Sequence, residues 1–406
     1  MSRPSLPVVV LLVALSAVTV AGAVTQGQTG ATAPVETASP GEPNYLSLGE
    51  SEVRASNSTV TEIDVGSAIA SDSSSLQATH ATLRFERAYA SATTAANQTR
   101  AIRHVVDRIE NESLALRQRN RQQVAAYGEG AVTAGTFLRE RARIESEAAA
   151  LRTTIAAIEA RTDRDPTYSI PTSLSGRLSD LDASLEVLQG PVSASVAARL
   201  ATGGDRQRVY VEASASGYTF AQVRNGFYVR ETFLGDQWVP DQPDQFTENS
   251  SGRLAAAEQR AETLYPWVSA NKFGGSTWGL GPSGIYRYRA EFQSGRLTAY
   301  LDGGTTNVFR EAQERTLGSF NTTEVINRTS GSATLTVDRT FPTGPAEIGL
   351  TEAGSGQAID GTVTIGDREP IELGDDGRHW FVQPRETIWI NATTGSTEIT
   401  ARLGGS

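Results

Sequence analysis

Residues 199–213 read RLATGGDRQRVYVEA, and a change of period inside this stretch decides the fold. Upstream of Gly203-Gly204, apolar residues recur at intervals of three and four, as on one face of a helix. Downstream, Val209, Val211 and Ala213 recur at intervals of two, as on one face of a strand. From Val65 to Leu200 the chain has only six glycines and no tryptophan, whereas all five tryptophans lie beyond the switch. The fold class that follows is multi-domain α+β, with an N-terminal antiparallel helical hairpin or coiled-coil-like bundle, a middle α+β domain with antiparallel hairpins, and a small C-terminal β-sandwich.

Working back from the switch, two stripes have heptad spacing: Ile144, Ala148, Leu151, Ile155 and Ile158, then Leu174, Leu178, Leu181, Leu185 and Leu188. Such stripes need a facing helix. Ile102, Val106, Ile109 and Leu116 supply one, interrupted at Ser113 and Asn120, and the glycines of Tyr127-Gly128-Glu129-Gly130 reverse the chain between the arms. Each arm is some thirty residues, roughly 45 Å by helical rise. Residues 98–163 hold eleven arginines against nine acids, interleaved in the manner of a solvated helix face.

Working forward, Asn225-Gly226 between Val223 and Phe227 is a hairpin signal, because both turn positions need positive φ. Residues 235–248, rich in Asp, Gln and Pro, read as a loop. A helix over Ser251–Leu264 and a second hairpin, Ile285–Phe292 and Leu297–Leu301 about Ser294-Gly295, complete the middle domain. The domain reading is therefore 1–23 leader, 24–60 disordered spacer, 61–203 helical domain, 206–318 α+β domain, 319–335 linker and 336–406 β-sandwich.

The leader follows from Arg3, the apolar run Val8–Val20 and the small residues Ala21-Gly22-Ala23, the order of a secretory signal peptide cleaved after Ala23. An uncleaved anchor extending through Val24 is the alternative, and lasting membrane attachment would come from this N-terminal segment or from a partner. Seven of the twelve asparagines (Asn57, Asn97, Asn111, Asn249, Asn321, Asn327 and Asn391) stand in Asn-X-Ser/Thr sequons. Chance, with Ser and Thr at about a fifth of the chain, would give about two or three. Both observations point to an exported, glycosylated protein at the cell surface or beyond it. Cysteine is absent, which excludes disulfides, thiolate catalysis and cysteine-bound zinc. Of 36 basic residues only Lys272 is lysine, and the net charge of -10 makes the chain as a whole a poor candidate for nucleic-acid binding, so no nucleic-acid partner is expected. That balance fits either a salt-adapted surface or GC-biased codon usage.

The usual catalytic patterns are missing. His80, His104 and His379 are scattered and unpaired, there is no Gly-x-Ser-x-Gly elbow, and the lone lysine stands in no phosphate loop. The expectation is therefore no enzyme and no cofactor. Asp367, Glu369, Glu372, Asp375 and Asp376 are the one acidic cluster from which a calcium site is readable, against the plainer reading of acidic turns. The tryptophans read mainly as core, with a glycan- or peptide-binding face as the alternative.

Three stretches resemble known families. Ile285–Arg289 and Leu301–Phe309, with Asp302-Gly303-Gly304-Thr305-Thr306-Asn307 as the turn, resemble the tail of PepSY modules, although Gly304 and Asn307 replace the usual alanine and glycine. That resemblance implies a regulator or inhibitor of an exported peptidase, acting through residues 206–318. Ala346–Thr351, Gly361–Ile365 and Leu373–Val382, with Pro384 followed by Arg385 rather than glycine, resemble the carboxypeptidase-regulatory, transthyretin-like sandwiches, which are accessory modules. The order of parts, with Asn44-Tyr45-Leu46, Tyr210-Val211-Glu212 and Pro243-Asp244-Gln245-Phe246, resembles uncharacterised exported proteins of haloarchaea. The functional expectation is a non-enzymatic scaffold, adhesion or interaction module whose partners are other envelope proteins or glycans.

Overall fold

The helical hairpin forms because its two apolar stripes meet. The computed structural model describes residues 35–37, 41–61, 65–202, 206–248 and 252–404; the leader, with Ala23, lies outside them. The first described elements are the short strands β1 (Val35–Thr37) and β2 (Asn44–Leu46) and a longer β3 (Ala55–Thr61), followed by helices α1 (Val65–Ala90), α2 (Ala95–Gly128), α3 (Ala134–Asp163), α4 (Thr172–Glu186) and α5 (Pro191–Thr202). The hydroxyls of Thr94 and Thr133 cap α2 and α3 by accepting from the backbone N–H of Asn97 and Thr136. Gly130, at φ +73°, turns the chain between them. Ion pairs fix the antiparallel register, Arg119 to Glu147 at 2.9 Å across α2 and α3, and Arg152 to Asp182 at 2.7 Å across α3 and α4. Between them the stripes of α2, α3 and α4 close one core, joined by Phe85 and Tyr89 of α1.

Beyond the helices come β4 (Gln207–Ala213), β5 (Gly217–Arg224), β6 (Phe227–Leu234), α6 (Arg253–Leu264), α7 (Pro266–Asn271), β7 (Lys272–Gly279), β8 (Ile285–Phe292), β9 (Gly295–Asp302) and β10 (Val308–Thr316). They build an eight-stranded antiparallel sheet in the order β3-β4-β5-β6-β10-β9-β8-β7. Asn225 at φ 49° and Gly226 at φ 78° make the β5–β6 turn, as their positions require. β3 pairs with β4 from Ala55↔Ala213 to Thr61↔Gln207. The whole helical module is thus inserted into a β-hairpin, with its two ends tied to neighbouring strands. It packs on the sheet through Tyr127, Phe137, Leu138, Val192 and Val196, against Val211, Tyr218, Phe220 and Val229.

The last eight strands are β11 (Glu324–Ser330), β12 (Ala333–Arg339), β13 (Pro345–Glu352), β14 (Gly361–Ile365), β15 (Ile371–Leu373), β16 (Arg378–Val382), β17 (Ile388–Thr394) and β18 (Thr397–Leu403). They form two four-stranded sheets, β11-β12-β13-β16 and β15-β14-β17-β18, closed on a common apolar core. This sandwich docks on the large sheet through Phe341 and Val382, which meet Tyr45, Tyr210 and Tyr228.

Several boundaries differ from the sequence reading. Of the expected spacer 24–60, residues 44–48 are buried and 55–61 form the edge strand β3; most of the residues of β3 are polar, so no apolar alternation marks it. The expected linker 319–335 holds all of β11 and the start of β12, because β11 buries only Ile326 and its outward residues hide the period. α7 and β7 lie where no element was expected, β7 being glycine-rich (Lys272–Gly279) and at a sheet edge. None of the five tryptophans is fully buried; the core is filled instead by tyrosine, phenylalanine and aliphatic residues.

Candidate functional site

Charged groups are unusually numerous inside this molecule, and they sit on the two faces of the central strands β6 and β10. On one face, β10 presents Glu311, Gln313 and Arg315 in successive inward positions, each seizing a different point of the N-terminal segment 42–46. The Arg315 guanidinium donates to Glu42 (3.1 Å), the Gln313 amide donates to the Asn44 carbonyl (2.6 Å), and the Glu311 carboxylate accepts from the Leu46 N–H (2.7 Å). Arg230 of β6 donates to the Leu46 carbonyl (3.1 Å) and to Thr343 of the sandwich (2.8 Å), and lies over the Tyr45 ring at 4.8 Å. The segment is therefore a strap, bound as a peptide is bound, with Leu46 and Leu48 filling an apolar pocket among α6, α7 and the sheet. Burial pushes Glu311 up to about 7, opposed by the Tyr265 hydroxyl, Arg230 and the Leu46 N–H.

On the opposite face, Glu231 of β6 accepts from the N–H groups of Val192 and Ser193 at the start of α5 and from the Ser193 hydroxyl. Arg310 of β10 donates to the Gln189 carbonyl and to Tyr218, so that it helps anchor the same turn. Glu145 of α3 accepts from the Gly190 N–H at 2.8 Å; burial, then the neighbouring Glu231 carboxylate, pushes it up to about 7. Arg141 donates to Asn120 (2.8 Å) and the Leu188 carbonyl (2.8 Å). The polar interruption of the α2 stripe at Asn120 is therefore a buried partner for this arginine. These acids are saturated by donors from the same chain, an arrangement that joins helices to sheet.

The acidic cluster read as a calcium site is not brought together. Among the described residues no three of His, Asp and Glu are grouped to hold a metal ion. Asp367, Glu369, Glu372, Asp375 and Asp376 are exposed and strung along β15 and its flanking turns. Glu369 is bonded by Arg206, Glu372 stands opposite Thr362, and Asp376 accepts from the Arg378 N–H at 3.1 Å. An extended strand spaces carboxylates too widely to enclose one ion. His80 and His104 are exposed on different helices, and His379 lies in β16.

Six sequon asparagines fall within the described residues, and all six are exposed: Asn57 on β3, Asn97 and Asn111 on α2, Asn321 before β11, Asn327 on β11 and Asn391 on β17. Asn249 lies outside the described residues. No helix among the described residues is long and apolar enough to cross a membrane. What the sequence reading missed is the strap, whose one signal is the spacing of Leu46 and Leu48 amid polar residues.

A family model described as "Domain of unknown function (DUF7096)" matches residues 2–206, just over half of the 406-residue chain. The chain belongs to the DUF7096 family. A second model, "Family of unknown function (DUF7094)", matches residues 209–321, and a third, "Archaeal fibronectin-III type-like domain", matches 324–401. No curated protein and no solved structure matches. The DUF7096 stretch contributes the strap, β3 and all five long helices, and its boundary with the next model falls between the paired strands β3 and β4. The C-terminal match is to an archaeal fibronectin-III type-like domain and covers most of the two-sheet sandwich.

Proposed function

We propose that this DUF7096-family chain is an exported, glycosylated, non-catalytic protein of the cell envelope, in which the helical arm stands on a base made of the large sheet and the sandwich and serves to scaffold other envelope components. The observation that carries the reading is the distribution of sequons. Six exposed asparagines are spread over the sheet edge, the arm and both sheets of the sandwich, so glycans at all of them leave the core contacts intact. An archaeal fibronectin-type module beside the arm fits an adhesive or spacing role, and the leader-like start fits export from a haloarchaeal or similar cell. The alternative of a peptidase regulator acting through residues 206–318 meets a sheet whose central strands are covered on both faces, by helices on one and by the strap and sandwich on the other. Glycopeptide mass spectrometry on protein from native envelopes tests the reading. Sugar on at least several of the seven sequon peptides is expected, and bare asparagine at every one overturns it.

A further inference from the structure

The large sheet ends at β7, and the outer edge of that strand is open. Alternate residues turn their N–H and C=O groups away from β8, and no strand among the described residues takes them up. Such edges are ordinarily blunted by exposed charge. Here the one charge, Lys272, is drawn back onto α6 by Glu262 at 2.6 Å, and residues 273–279 carry none. Of nine exposed large apolar side chains among the described residues, three stand on or beside β7: Phe273, the most exposed at 74%, Trp278 at 38%, and Leu254 of α6, next to Gly279. The glycines of the strand fall into two kinds. A Cβ on Gly275 would strike the Arg289 carbonyl at 2.6 Å, whereas one on Gly274 would meet nothing within 4 Å and one on Gly279 would make ordinary contact with Leu254 at 3.5 Å. Neither Gly274 nor Gly279 has a positive φ. Nothing within one chain therefore asks for glycine at these two positions, where it weakens a strand.

We propose that β7 pairs antiparallel with β7 of a second copy of this chain, about a two-fold axis through Ser276, joining the two sheets into one. In an antiparallel pair, directly opposite residues share a face and turn their hydrogen-bonding groups the same way, so a two-fold register centres on a residue and not between two. Centred on Ser276, it sets Trp278 opposite the partner's Gly274 and Phe273 opposite the partner's Gly279. Centring on Gly275 sets Trp278 against Lys272, and centring on Thr277 sets it against Ser276, so in neither does it meet glycine. The two glycines with spare room thus receive the two exposed rings. Trp278 is already steadied by Arg287, whose guanidinium lies 4.8 Å from the ring centre. Across the axis the same row continues through the partner's Gly274 to the partner's Glu291, its exposed neighbour on β8, so a guanidinium and a carboxylate flank the indole. Arg289 faces its own copy three strand spacings away, roughly 14 Å, which exceeds the ~8 Å screening length at physiological salt. The contact is short, and the dimer is accordingly reversible. The inference concerns the folded chain and does not depend on export, so its failure leaves the glycosylation result untouched.

Sedimentation equilibrium of the full-length protein over a range of concentrations tests it, and a reversible monomer–dimer equilibrium is the expected result. Gly274→Thr has room within the single chain and is the better strand former. It should keep or raise the melting temperature of dilute protein while weakening the dimer about tenfold or more, because the blocked site occurs twice. Phe273→Glu, at a side chain already in solvent, is a second variant expected to weaken the dimer. The chain has no cysteine, so the register can be read from single thiols. Ser276→Cys would bring two Cα atoms to about 4.5–5.5 Å across the axis and should form an interchain disulfide on mild oxidation. Gln293→Cys, in the exposed β8–β9 turn, should not. Monomer alone at all concentrations up to about 100 μM, a dimer unaffected by Gly274→Thr and Phe273→Glu, or equal crosslinking through the two cysteines overturns the proposal.

Discussion

Gly190 stands where α5 begins, and its missing side chain lets two charged groups close over the turn. A Cβ there would overlap the Glu231 carboxylate and the Arg310 guanidinium. Gly190→Ala therefore pushes Glu231 away from its donors and Arg310 away from its acceptors and is expected to cost about 1–3 kcal/mol through overpacking alone; a denaturant melt with unchanged midpoint would contradict this. Glu311 gives a pH signature on the other face. Its pKa is about 7 when folded, above the ordinary carboxyl value, so the folded chain holds this proton where the unfolded chain has released it. Its favourable contribution is present below about 4.5 and is lost as pH rises through about 7. Wild-type stability should consequently fall relative to Glu311→Gln between pH 5 and 8, and parallel pH curves for the two proteins would refute the assignment. His379 of β16 behaves in the opposite sense. Burial and Arg208 hold His379 below its ordinary value, so it lowers stability as pH drops below about 6.5, where the unfolded chain takes up the proton first.

At the scale of elements, the strap is the part whose removal is most informative. Glu42 and Arg315 are both buried, and Glu42→Ala leaves the arginine without its carboxylate, a change expected to cost about 3–5 kcal/mol. Leu46, with no exposed surface, should cost about 2–5 kcal/mol as Leu46→Ala. Both changes should open residues 41–49 to limited proteolysis, and wild-type cleavage patterns in both would mean the segment is not held as described. This element also shows where the sequence was legible. The arms of α2, α3 and α4 declared themselves because each carries its own apolar period, as did the Asn225-Gly226 turn, because backbone geometry demands those residues. The strap, β3 and β11 carry little period of their own. The strap and β3 take their order from Glu311, Gln313, Arg315 and Arg230 or from β4, far away in sequence, and no local pattern encodes such partners; β11 pairs with the next strand but buries only Ile326. The acidic run at 367–376 misleads for the same reason: proximity in sequence along an extended strand is not convergence in space.

For the whole molecule, topology sets the design. The helical module is an insertion between two paired strands, docked on a sheet whose far face carries the strap and the sandwich, and the described residues form one unit. An arm with both ends fixed to one sheet edge is suited to holding a surface at a set distance, and exposed sequons on arm, sheet and sandwich suit a molecule surrounded by solvent outside the cell. The most direct test of that central claim is mass spectrometry of the N-terminal peptide after separating native cells into envelope, medium and cytosol. The account predicts envelope- or medium-associated protein beginning at Val24; full-length protein retaining residues 1–23 and confined to the cytosol would contradict it.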